Sequence, residues 1–395
     1  MRAVSLAPIM LVTLIGVYMI TTGFAFAIVA PVLTPLAGAF RTGVATAAYI
    51  STFYFLGSLF MSMPAGLILD RWGPRKAGVL GLLLFAIGWS TSYFARSLPI
   101  LLLGRLAVGM GAVALAIASA ASIQQWFKPE ESAFPIGLWA ASLPIGIAWG
   151  EVLAGIMLER YGWREDFMIG LVFSLTGLAI YGAVVRPGPY GSPSDAQASG
   201  KDEGHGLEGV LRSVDVWKFG VAVLFESIPF MAVTTFWVTW LVKNGGISSL
   251  VLASSLASAL GAAGIFGTLL AGYLSNRTGK RKPLFVVPSL AFGVALLGLI
   301  WTRGVDQMAA MSLIVGFTSY MPTTMMFAIP GQLVPARYAG AALGIALAFN
   351  TLAGVIGPII VGYAYLIKEA LIIPAFAMFV CASVGAAIAQ TVDSE

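Results

Sequence analysis

The chain has 395 residues, of which 59% are hydrophobic and only 10% charged. Soluble domains carry about 25% charged residues, so this composition cannot cover a water-facing surface and excludes an ordinary soluble domain. One cysteine, Cys381, excludes a disulfide framework, and one histidine, His205, in a polar stretch, excludes His-based zinc or serine-hydrolase chemistry. A net charge of +5 is no nucleic-acid signal here, because the cations fall in short breaks between apolar runs.

Those runs are long enough to cross roughly 30 Å of hydrocarbon. They lie near 8–32, 43–69, 77–95, 98–127, 132–158 and 166–186, then 216–242, 249–275, 283–302, 307–332, 339–366 and 370–391. The first is far longer than the 7–15 residues of a signal-peptide core, so it is expected to be a span and not a leader. Forty-six glycines suit helices packed closely in lipid. Between the sixth and seventh runs, from Arg186-Pro-Gly-Pro to about Asp215, Pro, Gly, Ser and charge cluster without apolar surface. This reads as a linker over 187–214, separating bundles at 1–186 and 215–395.

Orientation follows from Lys and Arg. The side holding Arg75, Lys76, Lys280, Arg281 and Lys282 carries 14 of them and the opposite side 7, which with Arg105 complete the 22 in the chain. The excess marks the cytoplasmic face, so both termini and the linker are expected inside a cytoplasmic (inner) membrane. A repeat supports two halves. Gly66-Leu-Ile-Leu-Asp-Arg-Trp-Gly-Pro-Arg-Lys76 returns 206 residues later as Gly272-Tyr-Leu-Ser-Asn-Arg-Thr-Gly-Lys-Arg-Lys282, and Pro129…Ala133 falls on Pro335…Ala339 at the same offset. Parallel six-helix halves with a site between them near midplane are expected.

Three charges lie within runs. Arg105 would cost about 2.5–3.5 kcal/mol at a helix centre without partner or water. At 1.5 Å per residue, Arg105 and Glu151 sit at similar depth, roughly 10–12 Å below the outer surface. An Arg105–Glu151 ion pair is therefore expected, either purely structural or tied to transport. Glu226 lies near midplane on the seventh run with no cation at its depth. It suits a group that loads and releases a proton, the alternative being a Glu that lines a cavity. None of the three recurs at the 206-residue offset, which finds Met311, Gly357 and Ile20.

The loop Gly66–Lys76 resembles the motif that the major facilitator superfamily carries between its second and third helices. Gly104-Arg-Leu-Ala-Val-Gly-Met-Gly111 resembles that family's Arg-x-x-x-Gly-x-Gly motif, and the likeness covers nearly the whole chain. The resemblance implies an all-α membrane protein of about twelve transmembrane helices, working by alternating access as a secondary transporter and not as an enzyme. It implies a cytoplasmic gate built from Gly66, Asp70, Arg71, Gly73 and Arg75, with a second copy at Gly272, Asn276, Arg277, Gly279 and Arg281. In that loop Gly66 permits close helix approach and Gly73-Pro74 a tight turn; its cations also serve as topology determinants. Asn276 stands where the first copy has Asp70, so the second latch should be weaker. Cavity-lining candidates on the corresponding helices are Tyr18, Thr22, Phe230, Trp237, Tyr320, Thr324 and Asn350.

Two further likenesses point in different directions. Gly354-Val-Ile-Gly-Pro-Ile-Ile-Val-Gly362 resembles the glycine-proline motif of antiporter branches, which carry it on the fifth helix, whereas the fifth run here has only Ser142-Leu-Pro-Ile-Gly146. Tyr161-Gly-Trp-Arg164 resembles an outer loop found in organic-anion carriers, yet no cation stands at midplane to receive an anion. The expectation is a monomeric, proton-coupled carrier of a small organic solute, leaning towards an organic acid. Its expected partners are a small-molecule substrate, protons and the lipid bilayer, with no nucleic acid, metal or cofactor. Alternatives are an exporter of lipophilic compounds by proton antiport and a non-transporting sensor that keeps the fold. A channel is disfavoured, because no helix repeats polar residues along its length.

Overall fold

The computed structural model describes residues 6–127, 133–190, 210–243, 246–302, 304–334, 339–367 and 372–392. The second repeat match falls mostly on 128–132 and 335–338, and His205 on 191–209, so these lie outside the described residues. The side chains of Asp70 and Asn276 lie outside them as well.

Every apolar run is helical. The first comprises α1 (Ala7–Tyr18), a single wide turn at Met19–Gly23 with i→i+5 bonding, α2 (Phe24–Ala27) and α3 (Val29–Ala39). After the short α4 (Val44–Ala47), the second and third runs form one helical stretch, α5 (Tyr49–Tyr93). Gly73 interrupts it with φ 76° and ψ 167°, a conformation that L side chains rarely adopt. The expected Gly73-Pro74 turn is thus present, tighter than a separate loop. Next come α6 (Leu98–Trp126), α7 (Ala133–Tyr161) and α8 (Trp163–Val184).

Beyond the linker follow α9 (Val214–Lys243), α10 (Leu250–Thr278), α11 (Lys282–Gly298) and α12 (Val305–Ala328). A short turn of helix, α13 (Pro330–Leu333), precedes α14 (Ala339–Ile367) and α15 (Ile372–Gln390). Among the described residues, nine helices are long and apolar enough to cross a bilayer. Large apolar side chains such as Phe60, Phe266, Leu269, Val287 and Val294 stand exposed on them, as hydrocarbon requires and water forbids. This is an all-α membrane protein.

Contacts divide the chain into Met1–Val32 with Phe53–Lys201, and Leu33–Thr52 with Asp202–Glu395. In the first unit α7 packs along the broken first helix, and small residues bring α6 against α5. A Cβ at Gly109 would lie 1.8 Å from the Tyr54 carbonyl oxygen, and one at Gly57 2.0 Å from that of Leu106. The backbones therefore touch, with no room for side chains between them. The start of the expected linker is held down here, with the Trp126 indole donating to the Arg186 carbonyl at 2.9 Å and the Tyr190 amide to that of Gln125 at 3.1 Å.

In the second unit α9 packs against α14 and α15, and α10 against α12. The stretch Leu33–Thr52 is tied to these helices by hydroxyls: Thr34–Thr239 at 3.3 Å, Thr235 to Ser51 at 3.2 Å, and Thr52 to the Val355 carbonyl at 3.2 Å. Tyr49 and Tyr363 share a hydroxyl contact of 3.1 Å.

Candidate functional site

The most polar buried cluster of the second unit forms around Glu226, on α9. Pro229 follows three residues later and has no N–H, so the Phe225 carbonyl loses its helical donor beside the carboxyl. Glu226 is only 2% exposed. Its Oε2 accepts a long bond from the Ser227 hydroxyl at 3.4 Å, and Ser227 Oγ in turn accepts from Asn350 Nδ2 at 2.9 Å. Oε1 is buried without a hydrogen-bond partner. α15 closes against the backbone here: a Cβ at Gly385 would lie 2.9 Å from the Glu226 nitrogen. Glu226, Ser227 and Asn350 thus form a chain in which the amide donates to the hydroxyl and the hydroxyl to the carboxyl, with no ion pair to Glu226 among the described residues. The sequence singles out Glu226 and Asn350 but not Ser227, since a lone serine on an apolar helix carries no signal.

The other cavity candidates divide. Phe230 sits one turn from Glu226 on the same face, and its ring meets that of Tyr320 edge-on, centroids 5.1 Å apart. Trp237 instead donates to Ser312 Oγ at 3.1 Å and packs on Trp240, a structural tie. Thr324 bonds back to the Tyr320 carbonyl of its own helix at 2.9 Å, a local satisfaction. In the first unit Tyr18 packs on Trp139 with centroids 4.6 Å apart. Thr22 lies in the wide turn Met19–Gly23 with its hydroxyl buried and unpartnered; such turns are frequent at functional sites.

Among the described residues, no ion pair joins Arg105 to Glu151. Arg105 is fully buried; its Nη2 donates to the Ala25 carbonyl at 3.0 Å, and its guanidinium lies over Tyr54 and Trp89, 5.2 and 5.5 Å from their ring centroids. Glu151 is 6% exposed, with Oε2 lacking any partner. The depth argument is sound as far as it goes, because both helices approach the same stretch of the first helix. Gly150 on α7 abuts Ala27 and Phe24, while Arg105 on α6 reaches Ala25. Rotation decides the outcome: Glu151 lies about 100° further around α7 than Gly150, turned off the face that meets the first helix.

Stacking on Tyr54 and Trp89 is part of what holds Arg105. Arg105→Lys keeps the charge and loses the planar contact with Tyr54 and Trp89, and should lower stability by about 1–2 kcal/mol. Thermal unfolding in detergent measures this, and a lysine variant as stable as wild type would exclude the stacking account. Neutralising Arg105 and Glu151 together should cost the sum of the single changes, since neither strands the other.

One buried acid gives no sign of itself in the sequence. Asp166, in the first turn of α8, is 0% exposed, and both of its carboxylate oxygens lack hydrogen-bond partners. The adjacent Arg164 turns away, donating to the carbonyls of Tyr93 and Ala95 and lying over Trp163. As sequence, the Arg-Glu-Asp run resembles a solvated helix start.

At the duplicated loop, the cations serve their own units. Arg75 donates to the Gly182 carbonyl near the end of α8, and Arg281 to the Ala328 carbonyl at the end of α12. Lys282 donates to the Val392 carbonyl at 2.6 Å. A cation at the C-terminal end of a helix is favoured by the helix dipole. Tyr181 donates to the Pro74 carbonyl at 3.3 Å. Arg71 is exposed, and Arg277 donates to the exposed Tyr273 hydroxyl at 3.0 Å. Gly279 ends α10 in the left-handed conformation at φ 68°. The close helix approach expected at Gly66 is not seen there, since an added Cβ would meet nothing within 4 Å, and the same holds at Gly272.

Comparison with known proteins places this arrangement. A family model described as Major Facilitator Superfamily matches residues 15–358. The chain is 30% identical over 164 residues to the multidrug resistance protein Stp of Mycobacterium tuberculosis (strain CDC 1551 / Oshkosh), a match covering 41% of this chain and 30% of that protein. It is 25% identical over 358 residues to the gentisate transporter of Corynebacterium glutamicum, covering 87% of this chain and 78% of that one. Among solved structures, a bacterial homologue of the human lysosomal transporter Spinster, inward-facing and unoccupied, superposes with a TM-score of 0.82 at 17% identity, over 98% of this chain and 97% of that one.

Proposed function

The chain belongs to the Major Facilitator Superfamily, and from that premise we propose that it is a proton-coupled secondary carrier of a small organic solute, working by alternating access. Transport across a membrane, not catalysis, is what the family does. The observation that carries the coupling is Glu226: buried, tied through Ser227 to Asn350, with one oxygen unpartnered and no ion pair among the described residues. Such a carboxyl can take and release a proton without an ion pair being pulled apart. The Lys and Arg bias supports a cytoplasmic membrane location with both termini inside. The duplicated loop supports a cytoplasmic gate. Within their own units, Arg75 and Arg281 cap helices.

The sequence leans towards an organic acid, but one observation favours the second reading, export of lipophilic compounds by antiport. Arg105, the one cation deep within a span, is fully buried and already engaged with Ala25, Tyr54 and Trp89, so it is not offered to a solute carboxylate. The Phe230–Tyr320 pair beside Glu226 suits an apolar, aromatic solute instead. Proteoliposomes containing the purified protein separate the readings, with radiolabelled gentisate and the lipophilic dye ethidium as probes and a pH gradient imposed or absent. Gradient-driven movement of ethidium alone favours antiport export, and of gentisate alone favours acid symport. If the gradient changes the rate of neither these nor a wider solute panel, proton coupling is wrong.

A further inference from the structure

Glu226 is not the only intramembrane carboxyl with an oxygen left over. Glu151, well inside the helix Ala133–Tyr161, is 6% exposed with Oε2 unpartnered. Buried polar atoms are almost always satisfied in folded proteins, so each exception asks for an explanation. A carboxylate left this way permanently would be expensive and would contribute nothing to packing that Gln or Leu could not supply.

We propose that Glu151 is a second proton-binding site, in the first unit, which loads independently of Glu226 in the second. The surroundings leave the proton as its natural ligand. On the elements of its own unit packed against α7, the titratable or charged groups are Tyr18 on α1, Arg105 on α6, and Arg164, Glu165, Asp166 and Tyr181 on α8. Both cations and the Tyr181 hydroxyl among them have partners elsewhere, and the Tyr18 ring is packed against another residue. Tyr18 packs on Trp139, Arg105 donates to Ala25, Arg164 donates to Tyr93 and Ala95, and Tyr181 donates to Pro74. The two remaining acids carry the wrong sign to pair with a carboxylate.

Asp166 is the competing candidate, still more buried and with both of its oxygens unpartnered. It differs in position. The first turn of a helix lies at the positive end of the helix dipole, which favours a standing negative charge even though no N–H reaches either Asp166 oxygen. Glu151, in mid-helix, has no such aid.

The meaning of this site for transport rests on the reading of Glu226 given above, with two protons then available for coupling in place of one. Its existence does not rest on that reading, and the test needs no solute, because the probe is the proton. Purified protein in nanodiscs is titrated between about pH 5 and about pH 9, the range that brackets buried carboxyl groups, while infrared difference spectra follow the protonated-carboxyl carbonyl band. Glu151→Gln is expected to remove one band component that Glu226→Gln leaves in place, and Glu226→Gln to remove a different one. Glu151→Asp should shift its component, not delete it, and serves if the Gln variant folds poorly. A Glu151→Gln spectrum that titrates like wild type overturns the proposal, as does loss of the assigned component with Asp166→Asn instead. If Glu226→Gln alone leaves the spectrum unchanged, the coupling role of Glu226 fails and the Glu151 site stands.

Discussion

Glu226→Gln is expected to abolish accumulation of solute against a gradient, reducing the accumulation ratio to unity, while a folded carrier remains. Glutamine imitates the protonated acid permanently and keeps an oxygen for Ser227, so the hydrogen-bond chain to Asn350 survives the change. The effect on solute binding depends on the direction of coupling, because proton and solute affinities are linked reciprocally. In a symporter the protonated carrier binds solute. Wild-type affinity then falls as pH rises, and the variant binds at every pH with a flat profile and still exchanges solute between the two sides. In an antiporter the deprotonated carrier binds solute. Wild-type affinity then rises with pH, and the variant loses binding as well as accumulation. Equilibrium binding across pH, together with counterflow in proteoliposomes, separates the two outcomes. A variant that concentrates solute as wild type does, with its pH profile intact, would reduce Glu226 to a wall of the cavity.

Gly109→Ala should be the most destabilising single methyl in the first unit. Its Cβ would stand 1.8 Å from the Tyr54 carbonyl oxygen and 2.7 Å from the carbonyl carbon, both backbone atoms that no rotamer change can move. α5 and α6 would have to separate, and Arg105, one turn before Gly109, would lose its contact with the Tyr54 ring. Overpacking against a yielding side chain costs about 1–3 kcal/mol, and a rigid backbone places this change at or beyond the upper end. Gly66→Ala is the control, another helical glycine of a shared motif but with open space where the methyl would go. Thermal midpoints in detergent should fall steeply for the first and hardly move for the second. Equal midpoints would show that the two helices are not in backbone contact.

The contrast between these glycines shows how motif reading works and where it stops. Both belong to stretches recognisable from sequence, yet only Gly109 is used for close approach. Gly111 is used in the same way against α5, where a Cβ would meet the Gly81 carbonyl oxygen at 2.6 Å. Nothing in the spacing of Arg105, Gly109 and Gly111 says which helix each residue will face.

The sequence by itself determined the membrane class, the helical character and order of the apolar runs, the turn at Gly73-Pro74, and the placing of Arg105, Glu151 and Glu226 within them. These follow from hydropathy, from the rise per residue and from backbone sterics, all of which run along a single chain. Depth along a helix is legible for the same reason, and Gly150, next to Glu151, and the Arg105 side chain meet neighbouring residues of the first helix. Only the tertiary structure decided rotation and neighbours: Arg105 on Tyr54 and Trp89, Ser227 between Glu226 and Asn350, Asp166 turned inward, and Leu33–Thr52 tied by hydroxyls to α9 and α14. In lipid the outer face of a helix is as apolar as its packed face, so the hydrophobic period that orients a helix in a soluble protein is nearly silent here. The direction each side chain takes is then set by contacts between small residues on different helices, and those exist only once the bundle has formed.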